Sequence, residues 1–182
     1  MAQNRHITII CVTVASLNGK TTNGDDPTIY TWTSKEDQEQ FFRLIEHAEL
    51  ILMGRKTYEH ARHLMKHTKG RLRIVLTSHP ENFASDAIPN QLEFSSENPK
   101  VLVKKLADRG FSQALLVGGS HTNTAFLTKN LIDELWLTIE PVIFPTGTPL
   151  FTEGVHTQKL KLLSIEKLNS QGTLLAKYKS IH

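Results

Sequence analysis

Three stretches of this chain end in residues suited to gripping an anion: Val117-Gly118-Gly119-Ser120-His121-Thr122-Asn123, Met53-Gly54-Arg55-Lys56-Thr57 and Leu76-Thr77-Ser78-His79. In the first, a short apolar run (114–117) stops at a glycine pair, and a helical stretch (123–130) follows. A strand that feeds a helix through Gly-Gly leaves free backbone N–H groups at the helix start. Those amides and the helix dipole both favour a phosphate. Glycine also tolerates positive φ and lets a ligand approach the main chain. The pair equally suits a plain strand-to-helix turn, since it is shorter than the G-x-G-x-x-G fingerprint. The other two ends add cations and hydroxyls. Together the three suit a ligand with several phosphates, and an Arg or Lys beside Ser/Thr suits a 2′-phosphate. Taken singly, Arg55 and Lys56 read as solvated surface charges.

For these ends to meet, their strands must be parallel neighbours, because ligands of open α/β sheets bind beyond the carboxyl ends of the strands. Residues 7–15 are β-branched and nearly continuously apolar, which predicts a central strand covered on both faces. Asn18-Gly19 signals a turn, and residues 21–30, with Gly24 and Pro27, an exposed loop. Thr33 with Glu36, or Ser34 with Asp37, has the spacing of a capping box. Phe41, Phe42, Ile45 and Ala48 then form an apolar stripe expected to pack in the core. Further strands are predicted at 49–53, 72–76 and 91–94, with Pro80 forbidding a longer ladder after the second. Helices are expected from Gly54 to about Lys66 and over 99–109. The latter has Ser96 or Asn98 as cap, Pro99 in its first turn and Gly110 as its stop.

From Asp133 the pattern changes. Leu135, Leu137 and Ile139 alternate with Trp136, Thr138 and Glu140, and 141–144 continue the run. After a turn-rich break at 145–149, alternation resumes over 160–167, and a turn at 169–172 leads into 173–178. The chain therefore reads as βαβα units followed by a β tail. This predicts a single α/β domain over residues 1–182, three-layered α/β/α, with a mostly parallel mixed sheet and antiparallel C-terminal strands.

The formal net charge of +3 is spread over scattered Lys and Arg with no basic block and no interleaved aromatics. That suits attraction of a small anion and gives no reason to expect a nucleic-acid partner. Cys11 is the only cysteine, which excludes an internal disulfide, a cysteine-based zinc cluster and the zinc-deaminase signature, and fits a reducing cytoplasm. The apolar run 7–14 is too short and too β-branched for a signal segment or a membrane span, so no membrane association is expected. His60, His63 and His67 share a helix face, but no third ligand type accompanies them and no metal is expected.

The motifs resemble a known family. Leu52-Met53-Gly54-Arg55-Lys56-Thr57-Tyr58-Glu59 resembles the Gly-Arg-x-Thr motif of dihydrofolate reductases, and Val117-Gly118-Gly119 their glycine-pair motif. Ala15-Ser16-Leu17-Asn18-Gly19-Lys20 resembles the Ser-Leu-Asp-Gly-Lys stretch of the riboflavin-biosynthesis reductase domain, the C-terminal half of the bifunctional deaminase-reductase. Leu131-Ile132-Asp133-Glu134-Leu135, Pro141 and Gly147-Thr148-Pro149-Leu150-Phe151 resemble the same domain. The resemblance runs from about residue 7 to 178. It implies a dihydrofolate reductase-like fold, NADPH as hydride donor, and a small pteridine-like or aminopyrimidine substrate. Related reductase domains are often homodimers, and the antiparallel tail offers an edge for pairing.

Carried over by motif, Ala15 lies near the nicotinamide. Gly54, Arg55, Lys56 and Thr57 face the phosphates, the two cations also within reach of a 2′-phosphate. Thr77, Ser78 and His79 sit at the adenosine end. Gly118, Gly119, Ser120, His121, Thr122 and Asn123 hold the pyrophosphate. The substrate pocket is expected from Ser16, Asn18, the 21–30 loop and the first helix face with Gln38 and Phe42; Trp32 either lines it or belongs to the core. Counting back from Gly54 with Phe42 in register puts Gln38 where dihydrofolate reductases carry a carboxylate. Asp37 is the nearest replacement as catalytic acid, or else a helix N-terminal acid serving the dipole. Asn18 stands where the riboflavin reductase domain commonly has Asp. Three functions follow: an NADPH-dependent reductase of the riboflavin type, a true dihydrofolate reductase with a displaced acid, or a nucleotide-binding protein without turnover.

Overall fold

The computed structural model describes residues 6–181; residues 1–5 and 182 of the expected domain lie outside the described residues. Its elements run β1 (Thr8–Ser16), α1 (Lys35–His47), β2 (Leu50–Gly54), α2 (Arg55–Ala61), β3 (Leu72–Leu76), β4 (Leu92–Ser95), α3 (Pro99–Asp108), β5 (Gln113–Leu116), α4 (Ser120–Leu127), β6 (Glu134–Glu140), β7 (Lys159–Lys167) and β8 (Leu174–Ile181). The strands form one sheet in the order β4-β3-β2-β5-β1-β6-β8-β7. Neighbours from β4 through β6 are parallel, while β8 pairs antiparallel with both β6 and β7. Among the described residues, no helix is long and apolar enough to cross a membrane.

The period-2 alternation of a strand sends successive side chains to opposite faces, and here both faces are covered. Ile9, Cys11, Leu50, Leu52, Leu72, Ile74 and Leu116 meet Leu102 and Leu106 of α3 and Phe126 of α4 on one side. Ile51, Met53 and Val75 meet Tyr58 of α2 and the Ile45–Ala48 end of α1 on the other. The result is the expected three-layer arrangement, with all the strand ends that matter below on one edge of the sheet.

Several boundaries differ from expectation for identifiable reasons. α4 starts three residues early, at Ser120, because Gly119 takes an extended conformation (φ −77°, ψ −168°) and serves as its N-cap. α2 ends at Ala61 and tightens into a 3-10 turn over Arg62–Leu64 instead of reaching Lys66. β6 stops at Glu140, since Pro141 has no N–H for a ladder and the Val142 amide turns back to the Glu140 carbonyl at 2.8 Å. The apolar stripe of α1 packs in the core only at its C-terminal end, through the partly buried Ile45 and Ala48, and Asp37 is the helix's one buried residue. Phe42 is 43% exposed and lies parallel to Tyr30, their centroids 6.4 Å apart. Helical spacing tells which side chains share a face, not what covers that face.

Gly54 and Gly118 mark the tightest approach in the sheet. The Gly54 amide donates to the Gly118 carbonyl at 2.7 Å, and a Cβ on Gly54 would collide with the Thr122 hydroxyl. Gly54→Ala should therefore lower stability by about 1–3 kcal/mol through overpacking. Adding Thr122→Ala, which removes the obstructing oxygen, should recover more than half of that loss in denaturant titrations. Losses that simply add would show that the contact is not what Gly54 is for.

Candidate functional site

Because β3, β2, β5, β1 and β6 are parallel neighbours, their carboxyl ends line up along one edge. In that order the edge carries Thr77, Gly54, Gly118–Gly119, Ala15–Ser16 and Thr138–Glu140. The registers Gly54↔Leu76, Leu52↔Leu116, Cys11↔Leu116 and Ser16↔Glu140 fix this alignment. The three anion-suited segments are thus brought together on adjacent strands.

At the glycine end, Gly118 has φ +97°, a conformation that glycine adopts freely, and the Gly118–Gly119 peptide is cis. Gly119 caps α4 without a side chain, so the first-turn amides of α4 have no side-chain cap. Ser120 Oγ and Asn123 Oδ1 are buried there with no partner. Buried polar atoms are paired as a rule, so two orphans at one helix start fit a polar guest. Thr57 Oγ1 would stand 3.3 Å from a Cβ placed on Gly119, so α2 and α4 open side by side. His121 is exposed and Thr122 half-buried. Arg55 is bonded through both Glu59 oxygens, at 2.9 and 2.7 Å, while Lys56 is exposed. Thr77 is buried and its Oγ1 accepts from the His79 amide at 3.2 Å; Ser78 and His79 are exposed. A groove of about 400 Å³, lined by Pro80, Phe94, Ser95 and Ser96 among others, opens beside this end.

The other end is acidic. Ser34 caps α1, its Oγ accepting from the Asp37 amide at 3.3 Å, and Asp37 is 9% exposed. Burial pushes its carboxyl up to about 6; the Glu140 charge adds to the rise and the Thr138 hydroxyl opposes it. Gln38 turns away, its Nε2 donating to the Thr33 carbonyl and Thr33 Oγ1, both at 3.1 Å, and to the Tyr30 carbonyl at 3.4 Å. Of these two neighbours, Asp37 is the one that faces Thr138 on β6. Asn18 is engaged within the chain. Its Oδ1 accepts from Ser16 Oγ at 2.8 Å and from the Phe144 amide at 3.2 Å, and its Nδ2 donates to the Phe144 carbonyl at 2.8 Å. Asn18 thus staples the end of β1 to the loop after β6. Trp32 packs edge-on to Phe144 at 5.1 Å, with its indole N–H buried and unpartnered.

Sequence reasoning missed Thr138, Glu140 and Thr173, all buried at this end. The signal was present as polar residues on one side of the β6 alternation, a side the sheet covers rather than exposes.

The family model that matches this chain is the RibD C-terminal domain, over residues 7–174. Two Bacillus subtilis strain 168 relatives are uncharacterized proteins. YwjB is 27% identical over 116 residues, 63% of this chain and 64% of its own length. YyaP is 27% identical over 179 residues, 93% of this chain and 92% of its own. The match to YwjB thus spans less than two thirds of that protein. Among solved structures, a pyrimidine reductase-like protein from Corynebacterium diphtheriae superposes with a TM-score of 0.77 at 18% identity. It covers 97% of this chain and 92% of that one.

The raised Asp37 carboxyl has a stability consequence. The folded chain holds the Asp37 proton more tightly than the unfolded chain, so stability from this group is full at low pH. It is lost as pH rises from about 4 to about 6. Above that window the buried charge costs up to about 3 kcal/mol. Asp37→Asn should therefore stabilise the protein by about 1–3 kcal/mol at pH 8 and change little at pH 4 in denaturant titrations. An equal effect at both pH values would mean that Asp37 is not a strained acid.

Proposed function

The chain belongs to the RibD C-terminal domain family, and from that premise we propose that it is an NADPH-dependent reductase that passes a hydride to a small pteridine-like or aminopyrimidine substrate. One juxtaposition carries this reading: the side-chain-free start of α4, with its orphaned Ser120 and Asn123 atoms, shares a sheet edge with the protonatable Asp37. NADPH, when bound, supplies the hydride. The chain supplies grip, orientation and a proton. The amides of Gly119 and the first turn of α4, with Ser120 Oγ as donor, suit the pyrophosphate. His121, Thr122 and Asn123 complete that turn. Thr57 and Lys56 suit the adjoining phosphate, with Arg55 available once released from Glu59. Thr77, Ser78 and His79 suit the adenosine end. Ala15, small and buried at the end of β1, leaves room for the nicotinamide ring.

On the substrate side, Asp37 holds a proton at its carboxyl near pH 6 and hands it to the ring being reduced. Trp32 Nε1 offers an unpaired donor. Ser16 and Asn18 shape the floor, and Gln38 and Phe42 the rim. The burial of Asp37, the carboxylate nearest to Gln38, favours a second reading: true dihydrofolate reductase activity with a displaced acid. The single buried thiol of Cys11 suits work in the reducing cytoplasm.

NADPH fluorescence should change on mixing with the protein, and a panel of folate, pterin and aminopyrimidine compounds should include one that oxidises it. Binding without any oxidation would favour a nucleotide-binding protein without turnover. Gly119→Asp, which sets a carboxylate among the phosphates, should weaken NADPH binding more than tenfold in the same titration. An unchanged affinity would sink the pyrophosphate assignment.

A second copy of the chain is the proposed protein partner. All nine residues of β7 are exposed, with Leu162 at 49% and Ile165 at 60% on an unpaired edge. Such an edge invites antiparallel pairing. Light scattering should give twice 20.5 kDa. Leu162→Lys/Ile165→Lys should give a monomer, and a native monomer at micromolar concentration would overturn the dimer.

A further inference from the structure

The chain buries a second carboxylate next to Asp37. Glu140, 3% exposed, sits at the last position of β6, two residues beyond Thr138 and on the same face. Its Oε1 accepts from the Ser34 amide at 2.7 Å, at the start of α1. Its Oε2 accepts from the Thr173 hydroxyl at 2.6 Å, where the β7–β8 turn enters β8. Thr173 is 1% exposed and is itself fixed by Asn169, whose Oδ1 accepts from the Gly172 and Thr173 amides at 3.1 Å. Asn169 Nδ2 donates to Thr173 Oγ1 at 2.9 Å and to Glu36 on α1 at 3.1 Å. One acid thus joins a strand end, a helix start and a distant turn. Two bonds accepted on separate oxygens suit a carboxylate, because a neutral amide has one acceptor oxygen and its Nε2 could meet Thr173 only as a donor.

We propose that Glu140 is a positioning residue: its carboxylate ties the first turn of α1 to the β7–β8 turn and sets the electrostatic surroundings of the Asp37 carboxyl. The inference rests on Asp37 as the proton donor of the proposed reductase. Asp37 and Ser34 share the first turn of α1, so the Glu140–Ser34 bond fixes where the Asp37 side chain starts. The groups around Asp37 leave Glu140 as the charge that matters. From β6 come Thr138 and Glu140. From β1 come the neutral register partners Val14 and Ser16. The β7–β8 turn offers neutral Asn169 and Thr173. On α1 itself, Lys35 and Glu36 are exposed, and Lys35 pairs with Glu39 at 3.4 Å. A like charge in the same dry space disfavours ionisation of Asp37, in the direction its raised carboxyl shows. Glu140 thereby keeps the donor protonated closer to neutral pH.

The test is a carboxyl ¹³C NMR titration of the full chain, which needs no substrate. Glu140→Gln keeps the size and an acceptor for the Ser34 amide but removes the charge. The Asp37 midpoint should fall by about half a pH unit or more. A shift of less than about 0.2 units in Asp37 would leave Glu140 as a mere clamp and overturn the proposal. Should Glu140→Gln fail to fold, the Asp37 midpoint in Glu140→Ser, which also removes the charge, decides alone. If the Asp37 midpoint moves while native protein oxidises NADPH with no compound of the panel, the reductase reading falls and the coupling stands. Where a compound is turned over, the pH profile of Glu140→Gln should move to lower pH by the same amount. An unmoved profile would overturn the role in catalysis.

Discussion

Two neighbouring strands of this sheet must end without side chains. β2 and β5 close their shared ladder with Val117 N–H on the Leu52 carbonyl at 2.9 Å and Gly54 N–H on the Gly118 carbonyl at 2.7 Å. Both chains then turn at once into helices. Thr122 of α4 fills the space beside Gly54, and Thr57 of α2 fills the space beside Gly119. Each helix thus lays a first-turn hydroxyl on the other strand's glycine. That reciprocal fit brings two helix starts to one point, where the first-turn amides of α4 have no side-chain cap. Larger residues at either glycine would part the strands and separate the helix starts.

The opposite demand is met two strands away. A buried acid would be repelled by phosphate and would in turn weaken its binding. β1 stands between β5 and β6, and sheet spacing puts about 10 Å between the glycine end and the Thr138–Glu140 end. Ala15 and Ser16 occupy the gap, one small and apolar, the other bonded to Asn18. The edge therefore separates the helix start without a side-chain cap from the buried carboxyls of Asp37 and Glu140.

Much of this layout was legible in the sequence. β-branched runs located the central strands, Thr33 or Ser34 and Ser96 or Asn98 marked helix starts that Ser34 and Asn98 cap, and each anion-suited segment lay at a strand end. Parallel neighbours then forced those ends together. What escaped were features set by the third dimension. The register of α1 depends on how the loop before it is anchored, and that anchor is Gln38 reaching back to Thr33, which a count along the chain does not reveal. The alternation of Leu135, Leu137 and Ile139 with Trp136, Thr138 and Glu140 marked β6 as a strand without telling which polar residues would be buried. A sheet covered on both faces buries residues on both sides of the alternation, so Thr138 and Glu140 are enclosed. The aromatic stripe of α1 erred the other way, with Phe42 left at the surface beside Tyr30.

The distribution of buried polarity is the stronger argument for function. Along the described residues, Ser16, Thr33, Asp37, Thr77, Ser120, Asn123, Thr138 and Glu140 are all buried at or beside one sheet edge. Arg73 and Ser180, buried elsewhere, bond to the carbonyls of Lys66 and Ile132, as structural polar groups do. The edge keeps atoms that bond to nothing: Trp32 Nε1, Ser120 Oγ and Asn123 Oδ1. Each such atom costs about 1–3 kcal/mol relative to a satisfied or apolar one. A sheet selected for stability alone would fill these positions as it fills the rest of its interior, with Leu, Ile and Val. Stability given up at one edge only is what a ligand-binding site requires, because those atoms find their partners when the ligand arrives.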